Sequence, residues 1–260
     1  MARVRIVTDS ACDLTDQLAD DNGIVIVPLS IRFGDEELVD RRDLSAADFW
    51  KRCATSPTLP ETSAPPPGAF QSAYEAARED GYDAVVCVTI SAELSSGTYQ
   101  SATTAALALG GFDVRVVDTR TVTMGQGLVA LAVAGRTHVY GAIDTLEHLQ
   151  RGGRIGAARA MLGSMLSIKP IVQVTDGVVA EESKQRTRSR CFEYLATKLR
   201  AAAPFERLAV CDGAASDLDK FLGLLDGIET RHPLITADLG PVVGTHAGPG
   251  TVGACFVLPA

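Results

Sequence analysis

Residues 84–102 read Ala84-Val-Val-Cys-Val-Thr-Ile90, then Ser91-Ala-Glu-Leu-Ser95-Ser96-Gly97-Thr98-Tyr99-Gln100-Ser101-Ala102. The first seven residues are a short, continuous, β-branched apolar run, the pattern of a strand buried on both faces of a parallel sheet. The stretch that follows gathers small hydroxyl side chains around a glycine and opens a helix. Strand, polar loop and helix in succession form the unit of an α/β fold. Working outward, residues 3–8, 24–33 and 113–118 are further runs rich in Val and Ile. Phe70, Ala73, Tyr74 and Ala77 fall at i, i+3, i+4 and i+7, one apolar helical stripe. Ser45-Ala-Ala-Asp48 supplies a hydroxyl cap and a first-turn acid for another helix.

The second half has a different texture. Residues 168–174 and 178–180 flank Thr175-Asp176-Gly177, a hairpin signal with Asp-Gly at the tip. Two amphipathic helices follow, one carrying Phe192, Leu195, Ala196 and Leu199, the other Leu218, Phe221, Leu222 and Leu225. Strands near 207–211, 233–239 and 251–258 complete a mixed sheet. A hairpin with crossover helices does not simply extend a parallel sheet, so the sequence predicts two α/β domains, 1–150 with a mainly parallel sheet and 151–260 with a mixed one. The boundary is expected at Gln150-Arg-Gly-Gly-Arg154, where paired glycines interrupt the helical pattern.

The 260 residues carry 24 Lys+Arg against 32 Asp+Glu, a net charge of −8, with 46% hydrophobic residues. That apolar fraction excludes a disordered chain, and the acidic balance argues against a nucleic-acid surface. Apolar runs fall short of the ~20 residues of a membrane span, so no stable membrane insertion is expected. With no signal-peptide pattern at the start, a cytoplasmic location is expected. The six cysteines form no CxxC pair and share no ligand spacing with the four histidines, so neither a metal nor a disulfide framework is expected.

Four polar stretches could carry chemistry. Asp9 and Ser10 lie at the carboxyl end of the first strand, where open α/β sheets bind ligands but where a capping role serves equally. Glu61-Thr62-Ser63-Ala64-Pro65 places two hydroxyls before a proline-stiffened turn. Ser95, Ser96, Gly97 and Thr98 at a helix opening make an anion or carboxylate site without a formal positive charge. Residues 240–250 are a glycine- and proline-rich loop centred on His246, either a structural histidine or one facing a cleft. Ser95 or Thr62 with His246 and an acid also has the residue types of a hydrolase triad, which keeps an acyl-ester hydrolase or acyltransferase as the competing class.

Taken together, Val7-Thr-Asp-Ser10, Val27-Pro-Leu29, Thr62-Ser-Ala-Pro65, Leu94-Ser-Ser-Gly-Thr-Tyr-Gln-Ser-Ala102, Gly152-Gly-Arg-Ile155, Ile168-Lys-Pro-Ile171 and Gly244-Thr-His-Ala-Gly-Pro-Gly250 resemble the ordered motifs of the DegV family. The resemblance spans essentially the whole chain. It implies two α/β domains with a long-chain fatty acid between them and no resident cofactor. It also implies a non-enzymatic role, resembling the binding subunit of bacterial fatty acid kinase, in which a separate kinase subunit supplies phosphoryl transfer from nucleotide and Mg2+. By that resemblance Thr62 binds the carboxylate, as does Ser95 or Ser96; Ser95 keeps its place after Leu94. His246 and Arg186 correspond to residues of the head-group region and the kinase contact. Two departures stand out. A helix expected before the strand near His138 is missing around Gly135-Arg136, and Cys211-Asp212 stands where a histidine is expected.

Overall fold

The structure, a computed structural model, describes residues 3–131 and 137–259. Three sheets organise it. In the first half run β1 (Val4–Asp9), α1 (Asp16–Asp21), β2 (Ile24–Val27), β3 (Ser30–Phe33), β4 (Glu36–Val39), α2 (Ala46–Thr55), β5 (Glu61–Ser63), α3 (Pro67–Glu79), β6 (Ala84–Thr89), α4 (Ser96–Ala108), β7 (Asp113–Asp118) and α5 (Met124–Leu131). Then come β8 (Thr137–Ala142), α6 (Glu147–Arg151), β9 (Lys169–Thr175), β10 (Val178–Gln185), α7 (Arg188–Ala202), β11 (Arg207–Gly213), α8 (Leu218–Leu224), β12 (Ile235–Asp238), α9 (Pro241–Ala247) and β13 (Thr251–Val257).

The first sheet, β2-β1-β6-β7, is wholly parallel, and the second, β10-β9-β8-β13-β11-β12, is mixed, with only β11–β12 parallel. A small antiparallel sheet, β4-β3-β5, was not foreseen. It exists because the run 24–33 is two strands. Pro28 has no N–H to continue the parallel ladder, so pairing with β1 stops at Val27, and the Leu29 N–H donates instead to Ser10 Oγ at 3.1 Å. Thr62 and Ser63 accordingly lie in strand β5 rather than a turn. Residues 240–250 are likewise more than a loop: with Pro241 at the first helical position, they form α9.

The expected cap at Ser45 is present, its Oγ accepting from Asp48 N–H. The hairpin turn is also as expected, with Asp176 at φ 51° and Gly177 at φ 81°. The change of sheet comes before Gln150, however. β8 pairs with β13 and β9, so residues 137–142 belong to the second sheet. The expected loss of a helix around Gly135-Arg136 falls outside the described residues. None of the described helices is long and apolar enough to cross a membrane.

One helix joins the halves. α5 is buried from Met124 to Val129 and packs against both sheets, touching β1 and β6 on one side and β8, β11 and β13 on the other. Its side chains are apolar except Gln126, which is buried and donates Nε2–H to Thr8 Oγ1 at 2.9 Å, the composition of a core helix. Two glycines permit the contact: a Cβ at Gly125 would lie 2.3 Å from Val139 Cγ2, and one at Gly127 would lie 2.7 Å from the Cys12 carbonyl. Around it Asp13 accepts from Thr123 Oγ1 and from Gly240 N–H, Trp50 Nε1 donates to the Leu239 carbonyl, and Ser91 Oγ donates to the Gly177 carbonyl at the hairpin tip. The halves therefore share one core.

In an exposed helix, Gly→Ala stabilises by about 0.5–1 kcal/mol. Gly127→Ala is expected to do the reverse, costing about 1–3 kcal/mol through overpacking against a backbone that cannot retreat. Urea unfolding checks the sign; a more stable variant would mean α5 is not clamped between the sheets.

Candidate functional site

Beside α5 the shared core opens into a cavity. Its walls are mostly aliphatic: Leu29, Ile90 and Val122 from the first half, Val139, Val172, Val174 and Val179 from the second sheet, Leu239 just before α9, and Val242 and Val243 on α9. Thr62, Ser95, Arg154 and His246 sit together at one end, and three of those four also face a polar vestibule shared with Glu61, His148 and Arg151. The site is thus an apolar cavity with a polar mouth.

Each mouth residue is fixed by local structure. Thr62 is held on β5 by pairing with Ile31, and Gly97 lets α4 approach that strand: a Cβ there would lie 3.1 Å from Ala64 Cβ. Ser95 is the N-cap residue of α4, and its Oγ pairs with Thr98 Oγ1 at 2.9 Å rather than capping the first turn. The positive end of a thirteen-residue helix therefore lies beside the mouth. Arg154 is anchored by donating Nε–H to the Leu94 carbonyl at 3.0 Å and a guanidinium N–H to Gly152. His246 packs over Gly152 so closely that a Cβ there would stand 2.2 Å from its Nδ1.

The electrostatics follow from burial. His246 is pushed down to about 4, first by burial and then by the neighbouring Arg154 and His148, so its ring is neutral at pH 7. Its Nε2 lies 3.4 Å from Thr62 Oγ1, and its buried Nδ1 has no protein partner. Among the described residues no carboxylate orients the imidazole, so they do not assemble a nucleophile–base–acid relay.

The residues expected from sequence divide cleanly. Thr62, Ser95 and His246 come together, and Thr98 supports Ser95 from a buried position. Ser63 is exposed on the opposite side of β5, Ser96 is exposed at the helix opening, and Gly97, also exposed, faces Ala64 beside β5. Asp9 caps the turn after β1, accepting from the Ala11 and Ile90 N–H groups, and burial pushes its carboxyl up to about 6. Ser10 holds Leu29 and faces a separate polar pocket beside Asp13 and Asp40. Arg186 is exposed in the turn between β10 and α7 and lines neither the cavity nor the vestibule. Arg154 was missed as a site residue, so the mouth carries a guanidinium that the hydroxyl motifs alone did not reveal. Its signal was the Gly-Gly-Arg run, whose glycines admit the histidine and turn the chain.

The ordinary His246 value of 6.5 falls to about 4 in the fold, so the native state binds fewer protons than the unfolded chain between those values. This contribution to stability is fully present above pH 6.5 and is lost as pH falls through 4. The His246 ring signal in an NMR titration should have a midpoint near 4; a midpoint near 6.5 would place the ring in solvent.

Comparison with known proteins bears on the site. The model described as uncharacterised protein, DegV family, matches residues 3–136 and 132–258. A DegV domain-containing protein of Halalkalibacterium halodurans is 32% identical over 99% of this chain and 99% of its own. One of Streptomyces coelicolor is 34% identical over 96% of each. Among solved structures, a DegV family protein from Thermus thermophilus described as fatty-acid-binding superposes with a TM-score of 0.88 at 29% identity, covering 99% of this chain and 100% of that one. DegV of Bacillus subtilis, described as a fatty acid binding protein, gives 0.83 at 27% identity over the whole of both chains.

Proposed function

This chain belongs to the DegV family, and we propose that it binds a long-chain fatty acid, tail in the aliphatic cavity and carboxylate at the Thr62–Ser95–Arg154–His246 mouth. The observation that carries this reading is the match between the cavity's polarity and the ligand's. A fatty acid has one anionic end and a long apolar body; this cavity has one polar end and aliphatic walls. Burying the tail releases about 0.8 kcal/mol per CH2, reduced by ordering and association costs.

A carboxylate leaves water only where donors and positive potential meet it. Thr62 and Ser95 hydroxyls, the α4 N-terminus and the Arg154 guanidinium supply both. Neutral His246 donates or accepts according to its tautomer, and a bound carboxylate favours the donor.

We take the protein to be a binding subunit acting in the cytoplasm. In the finer reading, the carboxylate is presented through the vestibule to a separate kinase subunit that forms an acyl phosphate, with exposed Arg186 as a contact. The competing acyl hydrolase or acyltransferase is disfavoured because, among the described residues, no carboxylate partners the His246 Nδ1 behind its contact with Thr62, while Ser95 is paired with Thr98.

Thr62→Ala and Ser95→Ala should each weaken fatty acid binding by about 1–3 kcal/mol, the loss of a donor to a buried charged acceptor, measured by displacement of a fluorescent fatty acid. Unchanged affinity in both would put the carboxylate elsewhere. Arg186→Ala should leave that binding intact and lower acyl phosphate yield in the presence of a kinase partner; a variant with full yield would remove Arg186 from the contact.

A further inference from the structure

The cavity floor is one row of residues running across the second sheet. Strand registers place Val172 on β9 opposite Gly141 on β8, Gly141 opposite Gly253 on β13, and Gly253 opposite Cys211 on β11. All four line the cavity. Neither glycine is needed by its backbone, since neither has a positive φ. Local crowding does not require them either: a Cβ at Gly141 would meet Val172 Cγ2 at 3.7 Å, and one at Gly253 would meet the Tyr140 carbonyl at 3.4 Å and Cys211 Cβ at 3.6 Å. Glycine within a strand weakens it and often marks the close approach of a ligand. Here two face each other with open space above them.

Larger residues flank the row. On one side Val139 and Cys255 are neighbours in register, and Val139 is covered by α5 at Gly125. On the other side stand Ile143 and Thr251. The row between is a trough crossing three strand spacings, roughly 14 Å from β9 to β11. Its two ends differ. At one, Ile143 and Val172 pack with Leu94, next to mouth residue Ser95; at the other, fully buried Cys211 lies against Thr123, its Sγ accepting from Thr123 Oγ1 at 3.4 Å just before α5.

We propose that the fatty acid tail lies across the strands in this trough, entering past Val172 and ending near Cys211, and that Gly141 and Gly253 set the chain length the protein accepts. This rests on the fatty-acid reading above and specifies how the tail is selected. A side chain at Gly141 obstructs the trough near the mouth; one at Gly253 obstructs it deeper, leaving room for a shorter tail.

The test compares wild type, Gly141→Val and Gly253→Val against saturated fatty acids of graded length. Valine suits a strand, so thermal unfolding midpoints should hold or rise. Gly253→Val should weaken binding of the longest chains by on the order of tenfold or more while sparing shorter ones, and Gly141→Val should cut the accepted length further. Identical length profiles in all three proteins would overturn the trough and leave fatty acid binding standing; a wild type that binds no fatty acid would overturn both. If a variant fails to fold, wild type is photolysed with a fatty acid carrying a diazirine at its terminal carbon. Cross-links on residues 207–213 or 251–257 support the trough, and cross-links confined to the first sheet refute it.

Discussion

The burial of α5 between two sheets is the constraint on which the rest depends. A helix that both sheets touch has no room for side chains where it crosses them, so Gly125 and Gly127 bring it down onto Val139 and the Cys12 carbonyl. That close seat fixes the spacing of the sheets. It also covers one row of the second sheet and leaves the next uncovered, which is why a cavity exists in a core that otherwise packs to solid density. Asp13, accepting from Thr123 and Gly240, locks the two ends of this arrangement together. Its own carboxyl is held well above the usual carboxylate range by burial.

A cavity lined by valine and leucine is useful for an apolar ligand, and a polar mouth gives such a ligand a direction. The mouth is assembled from four separate segments: β5, the start of α4, the turn after α6, and α9. Their convergence depends on the same core, because α9 packs on α2 through Gly244 and α4 is seated beside β5 through Gly97. Positive potential from Arg154 and the α4 terminus suits an anion, while burial first, and then Arg154 and His148, keep His246 unprotonated. An anionic head group would oppose the charge part of that preference.

Local chemistry made much of this readable in the chain. The Asp176-Gly177 turn, the Ser45 cap, the buried parallel strands and the two sheet types depend on short-range patterns and emerged from them. Hydroxyls beside strand ends and a histidine in a glycine-rich stretch mark Thr62, Ser95 and His246 only as candidates; it is the ordered DegV motifs that single them out. What escaped depends on tertiary partners. β8 has no local mark of which sheet it joins, and although Pro28 must end the parallel ladder, nothing local shows that Ser10 receives the Leu29 N–H. Asp9 reads equally as ligand or cap from its neighbours in sequence; the Ile90 N–H that donates to it comes from a different strand end. Arg154 went unassigned because an arginine after two glycines is an ordinary sight; only Leu94 and His246 beside it make it a mouth residue. The trough of Gly141 and Gly253 was invisible for the same reason: two glycines more than a hundred residues apart become a feature only through strand register.

The central claim is that the cavity is a fatty acid site. Native mass spectrometry of the protein purified from a bacterial host, followed by solvent extraction and identification of what is released, tests it most directly. The account predicts one long-chain fatty acid per chain, either carried through purification or taken up on addition. Protein that emerges empty and refuses added fatty acids of every length would contradict it.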